Sequence, residues 1–469
     1  MGQVLNAVDV LLVFPLSRTH YSVPPLGLGY LASSLRSRGY GVRILDCTRE
    51  RLDLPGFLER IREWRPRMVG FQTFSYDFGT VRRALGGVKE VDPDIVTVVG
   101  GAHPSGVPVE TLEEMPAADY AFRGEGEEGL PLLVGRLFAR QDIDLAAIPG
   151  LVWREDGRVR ANGVQFVEDL DSLGFPAWDL MDPRSYQFAP QGVFLKSPPV
   201  APISTSRGCP FQCTYCAGKT LTGARIRKRS IPHVLDEVEL LYHEYGAREI
   251  HIVDDNFTMF RDRVVEFCDG LHERRLKIHF TFPNGVRIDT LDGELLRLLK
   301  QAGCYSMIVG IESGSNRVLK AMKKGLTTET VRRGVALIKE AGIDVSGFFI
   351  LGYPGETRDE MLQTIAFSRR LGLDAAHFSN FLPLPGTEAA EMLCRQGRLP
   401  KVDWSQLFYA RVAYVPEGMT AAELKRLQRQ AYLGFYLRPS VLWKLRGKIR
   451  SWHHVQAVVR RLKDYLFCR

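Results

Sequence analysis

At 469 residues the chain has length for about three domains, and 45% hydrophobic with 25% charged residues is a globular composition that excludes a disordered or fibrous chain. Lys and Arg outnumber Asp and Glu by 62 to 54, a net charge of +8, but they gather in no RNA- or DNA-reading motif, so no nucleic-acid partner is expected. No apolar run approaches the roughly 18 residues of a membrane span, and the apolar start from Ala7 to Leu16 carries Asp9 and leads into a strand pattern rather than a signal peptide, so a cytoplasmic protein with reduced thiols is expected.

From residue 8 to about 145, near-continuous apolar runs (Val8 to Phe14, Val42 to Leu45, Met68 to Phe74, Ile95 to Gly101, Tyr120 to Phe122) alternate with amphipathic segments. That rhythm predicts an α/β domain with a doubly wound, Rossmann-like parallel sheet over residues 1–145, whose ligand sits at the carboxyl ends of the strands. The loops at that end are rich in glycine, which lets a ligand approach the backbone closely. Candidate contacts in those loops are Gly100, Gly101 and His103 after the fourth strand, and Gly124, Glu125 and Gly126 after the fifth. Residues 146–200 read as a connector, with Asp156-Gly157 as a hairpin turn and a proline-rich remainder.

Cys209, Cys213 and Cys216 then follow at CxxxCxxC spacing. Three thiols are one too few for a closed structural zinc site. A [4Fe-4S] cluster on three thiolates has one iron open to an outside ligand. The alternatives are a three-thiolate metal site and three small buried hydrophobes. Strand and helix patterns alternate again from about residue 201 to 387, implying a parallel barrel or part of one, with its reactive end at the strand carboxyl termini. Polar residues fall at those ends: Asp254 and Asp255, Asn284 and Arg287, then Glu312 and Ser313.

The motif resembles the CxxxCxΦC signature of radical S-adenosylmethionine (SAM) enzymes, with Tyr215 as the aromatic residue. That resemblance implies a partial (β/α)6 barrel whose open iron chelates the amino and carboxylate groups of SAM. It also implies roles for the later segments: Asp254 and Asp255 at the SAM amino group, Asn284 and Arg287 near its carboxylate, and Glu312 and Ser313 at the ribose. Gly347 and Ile350 would meet the adenine, and Leu384 lies in the sixth-strand loop. The glycine-rich first domain is similar to the cobalamin-binding domain that precedes the barrel in one subfamily, which includes the anaerobic magnesium-protoporphyrin ester cyclases and the hopanoid and antibiotic C-methyltransferases. This chain has no DxHxxG motif, which implies cobalamin bound without a histidine ligand from that source; His20 or Tyr21 in the loop after the first strand, and Gln72, Ser75 and Tyr76 in the loop after the third, are then the alternatives for approaching the cobalt.

Residues 388–469 read as a helical basic region, with a helix from Ala421 to Tyr436 and an amphipathic segment from Trp452 to Leu466. That segment is expected either to lid the barrel or to lie on the inner face of a membrane. The resemblance as a whole implies methylation of an unactivated carbon of a lipid or secondary metabolite. A 5'-deoxyadenosyl radical removes a hydrogen atom and methylcobalamin supplies the methyl group, with an external electron donor of flavodoxin or ferredoxin type. Radical ring closure or carbon-carbon coupling on the same scaffold, and a cobalamin or redox sensor, are the alternatives.

Overall fold

The computed structural model describes residues 8–17, 23–139, 141–142, 144–186, 195–399, 403–408 and 411–448. The chain divides into two compact units. The first comprises Met1–Gln187 with Ala217–Arg227 and Pro385–Thr387, and the second Phe188–Cys216, Lys228–Leu384 and Glu388–Arg469.

The first unit is built on β1 (Val10–Phe14), β2 (Val42–Asp46), β3 (Met68–Gln72), β4 (Val96–Gly100), β5 (Tyr120–Phe122), β6 (Leu151–Glu155) and β7 (Arg158–Ala161). Their sheet order is β2-β1-β3-β4-β5-β6-β7, parallel as far as β5 and antiparallel beyond it. The β1 residues Val10 to Val13 are at most 1% exposed, which fits a strand covered on both faces by helices. The expected connector is therefore not one linker. Its first part forms the β6–β7 hairpin, with Asp156 and Gly157 both at positive φ (49° and 73°), and completes this sheet.

The second unit holds an open, all-parallel sheet of six strands in the order β15-β14-β13-β12-β11-β8, the expected partial barrel. Its members are β8 (Val200–Ile203), β11 (Glu249–Ile252), β12 (His279–Val286), β13 (Cys304–Glu312), β14 (Asp344–Leu351) and β15 (Ala375–Asn380). Two dipeptide strands, β9 (Ser206–Arg207) and β10 (Arg227–Lys228), lie between β8 and β11 in the chain. Outward-facing aromatics build the layer between sheet and helices: Phe280 meets Phe267 of the helix Arg261–Glu273 edge-on at 5.7 Å, and Phe349 stacks on Phe378 at 5.1 Å. Side chains of the inner face are less covered. Ile308, Ser346, Phe348, Ile350, His377 and Ser379 are all half-buried, although their strands are flanked on both sides or, for β15, by a helix.

The exposed edge of β15 is closed by the helix Ala421–Tyr436, which begins in a Thr420/Glu423 capping box. Gln428, Tyr432 and Tyr436 share one face of that helix by their spacing of four, and each bonds the strand backbone. The Gln428 amide donates to Phe378 O at 2.8 Å, the Tyr432 hydroxyl accepts from Phe378 N at 3.1 Å, and the Tyr436 hydroxyl accepts from Ala376 N at 3.2 Å and donates to Ala376 O at 3.0 Å. Residues 449–469, on which the expected amphipathic segment falls, lie outside the described residues. Tyr432→Phe leaves the buried Phe378 N–H without its acceptor. The expected cost is about 1–3 kcal/mol, read as a lower urea midpoint together with faster hydrogen exchange at the Phe378 amide.

Candidate active site

In the second unit the cysteines emerge just beyond β8, and the segment that delivers them is anchored by Asp254, immediately beyond β11. Asp254 is 3% exposed. One carboxylate oxygen accepts from Thr205 N, and the other from the Thr205 and Ser206 hydroxyls, all at 2.6 Å. Burial pushes its pKa up, and these hydrogen bonds oppose the shift without cancelling it. Asp254 thus anchors the loop that carries the cysteines. Asp255, half-buried beside it, accepts from Gly208 N at 3.2 Å.

None of the three thiols is in a disulfide; Cys209 and Cys213 are half-buried and Cys216 is exposed. The other cysteines behave differently. Cys47, Cys268 and Cys304 are buried, and burial pushes Cys47 and Cys268 up to about 12. The exposure of the motif thiols removes the reading of them as core hydrophobes. Among the described residues no group of three or more His, Cys, Asp or Glu converges on one metal ion. A [4Fe-4S] cluster takes each thiolate on a different iron and so does not need the sulfurs to converge on one point.

Three contacts fix the motif's remaining side chains. The Arg287 guanidinium stacks on Phe211, 3.6 Å from the ring centre, while its other groups pair with Asp289 at 2.8 Å and donate to Lys324 O at 3.0 Å. Its expected role near the SAM carboxylate is thus accompanied by contacts to Phe211, Asp289 and Lys324 that fix it within the protein. Lys324 pairs with Glu312 at 2.8 Å and lies 3.3 Å from the Tyr215 hydroxyl. Burial, followed by the Glu312 charge, holds that phenol well above its usual range. Gly310 makes the ion pair possible: a Cβ there would lie 2.6 Å from the Glu312 carboxylate and 2.7 Å from the Lys324 ammonium. Finally, the Thr214 hydroxyl lies 2.7 Å from that of Tyr353.

The remaining expected SAM contacts separate into two groups. Ser313 is fully buried and bonded to Thr364, and Gly347 packs against Ile311 and Leu373, so neither lines the inner face. Asn284 is exposed and donates to Val253 O at 2.6 Å. Ile350 and Leu384 are half-buried and open to contact. Phe211, Thr214, Lys324 and Tyr353 belong to this neighbourhood and were not singled out from the sequence. Phe211 and Thr214 were inside the motif, but nothing marked Lys324 in a run of two lysines.

In the first unit, the loops beyond β3, β4 and β5 are joined into one rim at the strand carboxyl ends. Thr73 N bonds Gly100 O at 2.7 Å, His103 N bonds Thr73 O at 3.0 Å, and Gly124 N bonds the Ser105 hydroxyl at 2.9 Å. Gly101 adopts φ +100°, where a Cβ would crowd the Thr73 backbone at 3.2 Å. Gly100 faces open space. Tyr76 stacks on Phe74 at 5.4 Å. Two expected contacts are corrected. His103 is 1% exposed, with Nδ1 on the Ser75 hydroxyl at 3.1 Å and burial depressing its pKa to about 4, so it braces the rim as neutral imidazole. Glu125 forms a buried bidentate pair with Arg227 at 2.7 Å and also accepts from Val167 N. His103 is the one histidine among the described residues of this unit, so they offer no exposed imidazole to a metal. An open rim of glycines and small polar groups fits a large planar ligand approached through backbone. His20 and Tyr21 lie outside the described residues.

The chain thus combines a parallel partial barrel, with three thiols outside any disulfide at one strand end, and a sheet of 2-1-3-4-5 order whose ligands sit at the strand carboxyl ends. The model of the radical SAM superfamily matches residues 203–368, and that of the B12 binding domain residues 15–134. An uncharacterized methyltransferase of Pyrococcus horikoshii is 33% identical, over 90% of this chain and 89% of the relative. The anaerobic magnesium-protoporphyrin IX monomethyl ester cyclase of Rubrivivax gelatinosus is 29% identical, over 89% and 75% respectively. A radical SAM methyltransferase of Kitasatospora setae, solved with cobalamin and a [4Fe-4S] cluster, shares the fold with a TM-score of 0.69 at 21% identity, over 88% of this chain and 83% of that one. The chain belongs to the radical SAM superfamily, among the members with a B12 binding domain ahead of the barrel. Its cofactors are a [4Fe-4S] cluster, SAM and cobalamin.

Glu356, in the turn after β14, gives a pH prediction. It is 3% exposed, one carboxylate oxygen has no hydrogen-bond partner, and burial raises its pKa to about 8. Between its ordinary 4.5 and about 8 the folded protein keeps a proton that the unfolded chain releases, so folding stability falls as pH rises through that window. Relative to Glu356→Gln, the wild type is expected to lose on the order of a few kcal/mol between pH 5 and 8, measured by urea unfolding.

Proposed function

We propose that this enzyme methylates an unactivated carbon of a small-molecule substrate, a lipid or secondary metabolite. Such a C–H bond is too weakly acidic for a side chain to deprotonate. The bound cofactors supply the radical and the methyl group, while the protein binds, orients and excludes water. The observation that carries the reading is three thiols at CxxxCxxC spacing, none in a disulfide, on a loop anchored by Asp254, in a chain that also carries a B12 binding domain. The methyltransferase name of the Pyrococcus relative supports methyl transfer, and that of the Rubrivivax relative keeps radical ring closure as the second reading.

In this proposal Cys209, Cys213 and Cys216 hold the cluster, with Tyr215, Asp255, Glu312 and Lys324 bordering the SAM methionine and ribose. Ile350 and Leu384 give apolar contact to the adenine. Gly100, Gly101, Gly124 and Gly126, with Ser75 and Tyr76, form the seat of the corrin. Radical SAM chemistry draws its electron from outside, and we assign a donor of flavodoxin or ferredoxin type. The C-terminal helices are assigned a peripheral contact with an anionic membrane surface. No described helix is long and apolar enough to cross a membrane. Leu437, Leu442 and Trp443 are 64%, 49% and 75% exposed, and Arg369, Arg426, Arg429 and Arg438 border Leu433 and Leu437. Each basic residue near such a surface contributes about 1 kcal/mol.

Anaerobic turnover with SAM, reductant and candidate substrates tests the reaction. The expected result is 5'-deoxyadenosine, S-adenosylhomocysteine and a product heavier by one methylene; a product lighter by hydrogen identifies ring closure. Replacing any one motif cysteine by Ala is expected to reduce SAM cleavage to background. Co-sedimentation with phosphatidylglycerol vesicles tests the surface contact: Leu437→Glu with Trp443→Glu should lower salt-sensitive binding about tenfold, and equal binding of variant and wild type rules it out.

A further inference from the structure

Thr214 lies between two of the thiols, Cys213 and Cys216, and each of its polar groups is fixed by a different segment. Its N–H donates to Met322 O at 3.1 Å, its carbonyl accepts from Ala389 N at 2.9 Å, and its hydroxyl lies 2.7 Å from the Tyr353 hydroxyl. That phenol oxygen is also 3.2 Å from Ala321 O. A phenol carries one proton and a carbonyl can only accept. Tyr353 therefore donates to Ala321, and the Thr214 hydroxyl donates to Tyr353. Thr214 and Tyr353 are 5% and 4% exposed, so water does not compete for these bonds. The Tyr353 ring is wedged edge-on to Phe381 at 5.5 Å.

The other end of the connection is the turn after β14. Glu356 gathers the backbone N–H groups of Gly352 and Tyr353 onto one oxygen, at 2.7 and 3.1 Å. The end of β14, with Ile350, leads into it directly. We propose that Tyr353 is a positioning residue that couples the cysteine loop to this turn, so that nucleoside occupancy of the turn and the placement of the thiols are set together. The inference rests on the proposed function, which assigns Cys209, Cys213 and Cys216 to the cluster and Ile350 to the adenine.

The test uses full-length, anaerobically reconstituted protein carrying Tyr353→Phe, Thr214→Val, both together, or Thr214→Ser. Three properties are measured: iron and sulfide content, the paramagnetic resonance signal of the reduced cluster as SAM is titrated in, and the thermal midpoint. Tyr353→Phe and Thr214→Val are each expected to keep the wild-type cluster content while raising the SAM concentration needed to shift the signal by about tenfold, the size of one buried hydrogen bond. The double variant should be no worse than either single one, because both cut the same connection, and Thr214→Ser should titrate as wild type. Wild-type titration by Tyr353→Phe overturns the coupling, as do effects of the two substitutions that multiply. A shared loss of cluster content or thermal stability with unchanged titration assigns the pair a structural role alone. A cluster that survives Cys209→Ala overturns the thiol assignment instead, a result none of the Tyr353 outcomes produces.

Discussion

A buried carboxylate with hydroxyl and amide partners governs the second unit. Asp254 sits just beyond β11, and its donors, Thr205 and Ser206, lie just beyond β8. Leaving such a group unbonded in the interior costs several kcal/mol, so the three hydrogen bonds hold the ends of two adjacent strands to one arrangement. Cys209 follows three residues after Ser206, and the position of the first thiol is inherited from that clamp.

The surroundings of the thiols also have an electrostatic logic. Thiolates on one loop accumulate negative charge, and two cations are held nearby in surroundings where each is only lightly hydrated. Arg287 lies over Phe211, and Lys324 lies between Glu312 and Tyr215, 10% exposed. Each cation is itself neutralised by an acid, Asp289 or Glu312, which limits the cost of burying it. The field at the loop is therefore set by paired charges whose orientation is fixed, and orientation rather than net charge is what the protein controls here.

What the sequence disclosed follows the range of the interactions involved. The thiol motif and the parallel rhythm of both sheets are local, and they were legible; so were the Asp156-Gly157 turn and the helix from Ala421 to Tyr436. Partners distant in the chain were not. Asp254 reads as a polar residue at a strand end, but whether it meets a ligand or Thr205 depends on donors 49 residues away. Arg287, Glu125 and His103 share that ambiguity, each being engaged by another part of its own unit. Ser313 and Gly347 illustrate the same limit: Ser313 is buried against Thr364, 51 residues away, and Gly347 packs on Ile311 and Leu373, contacts that no local pattern discloses.

The helix from Ala421 to Tyr436 stands where a seventh strand would otherwise add. Four helical residues advance about 6.0 Å, close to the roughly 6.6 Å of two strand residues, so side chains spaced by four on the helix can reach along the strand edge. Gln428 and Tyr432 both reach Phe378 and Tyr436 reaches Ala376, and these long, adjustable side chains fit helix to strand where a backbone could not. Such a cover satisfies the edge without offering an edge of its own. The sheet is thereby terminated at six strands, and the opening in its wall is a built feature of the molecule rather than an unfinished circle.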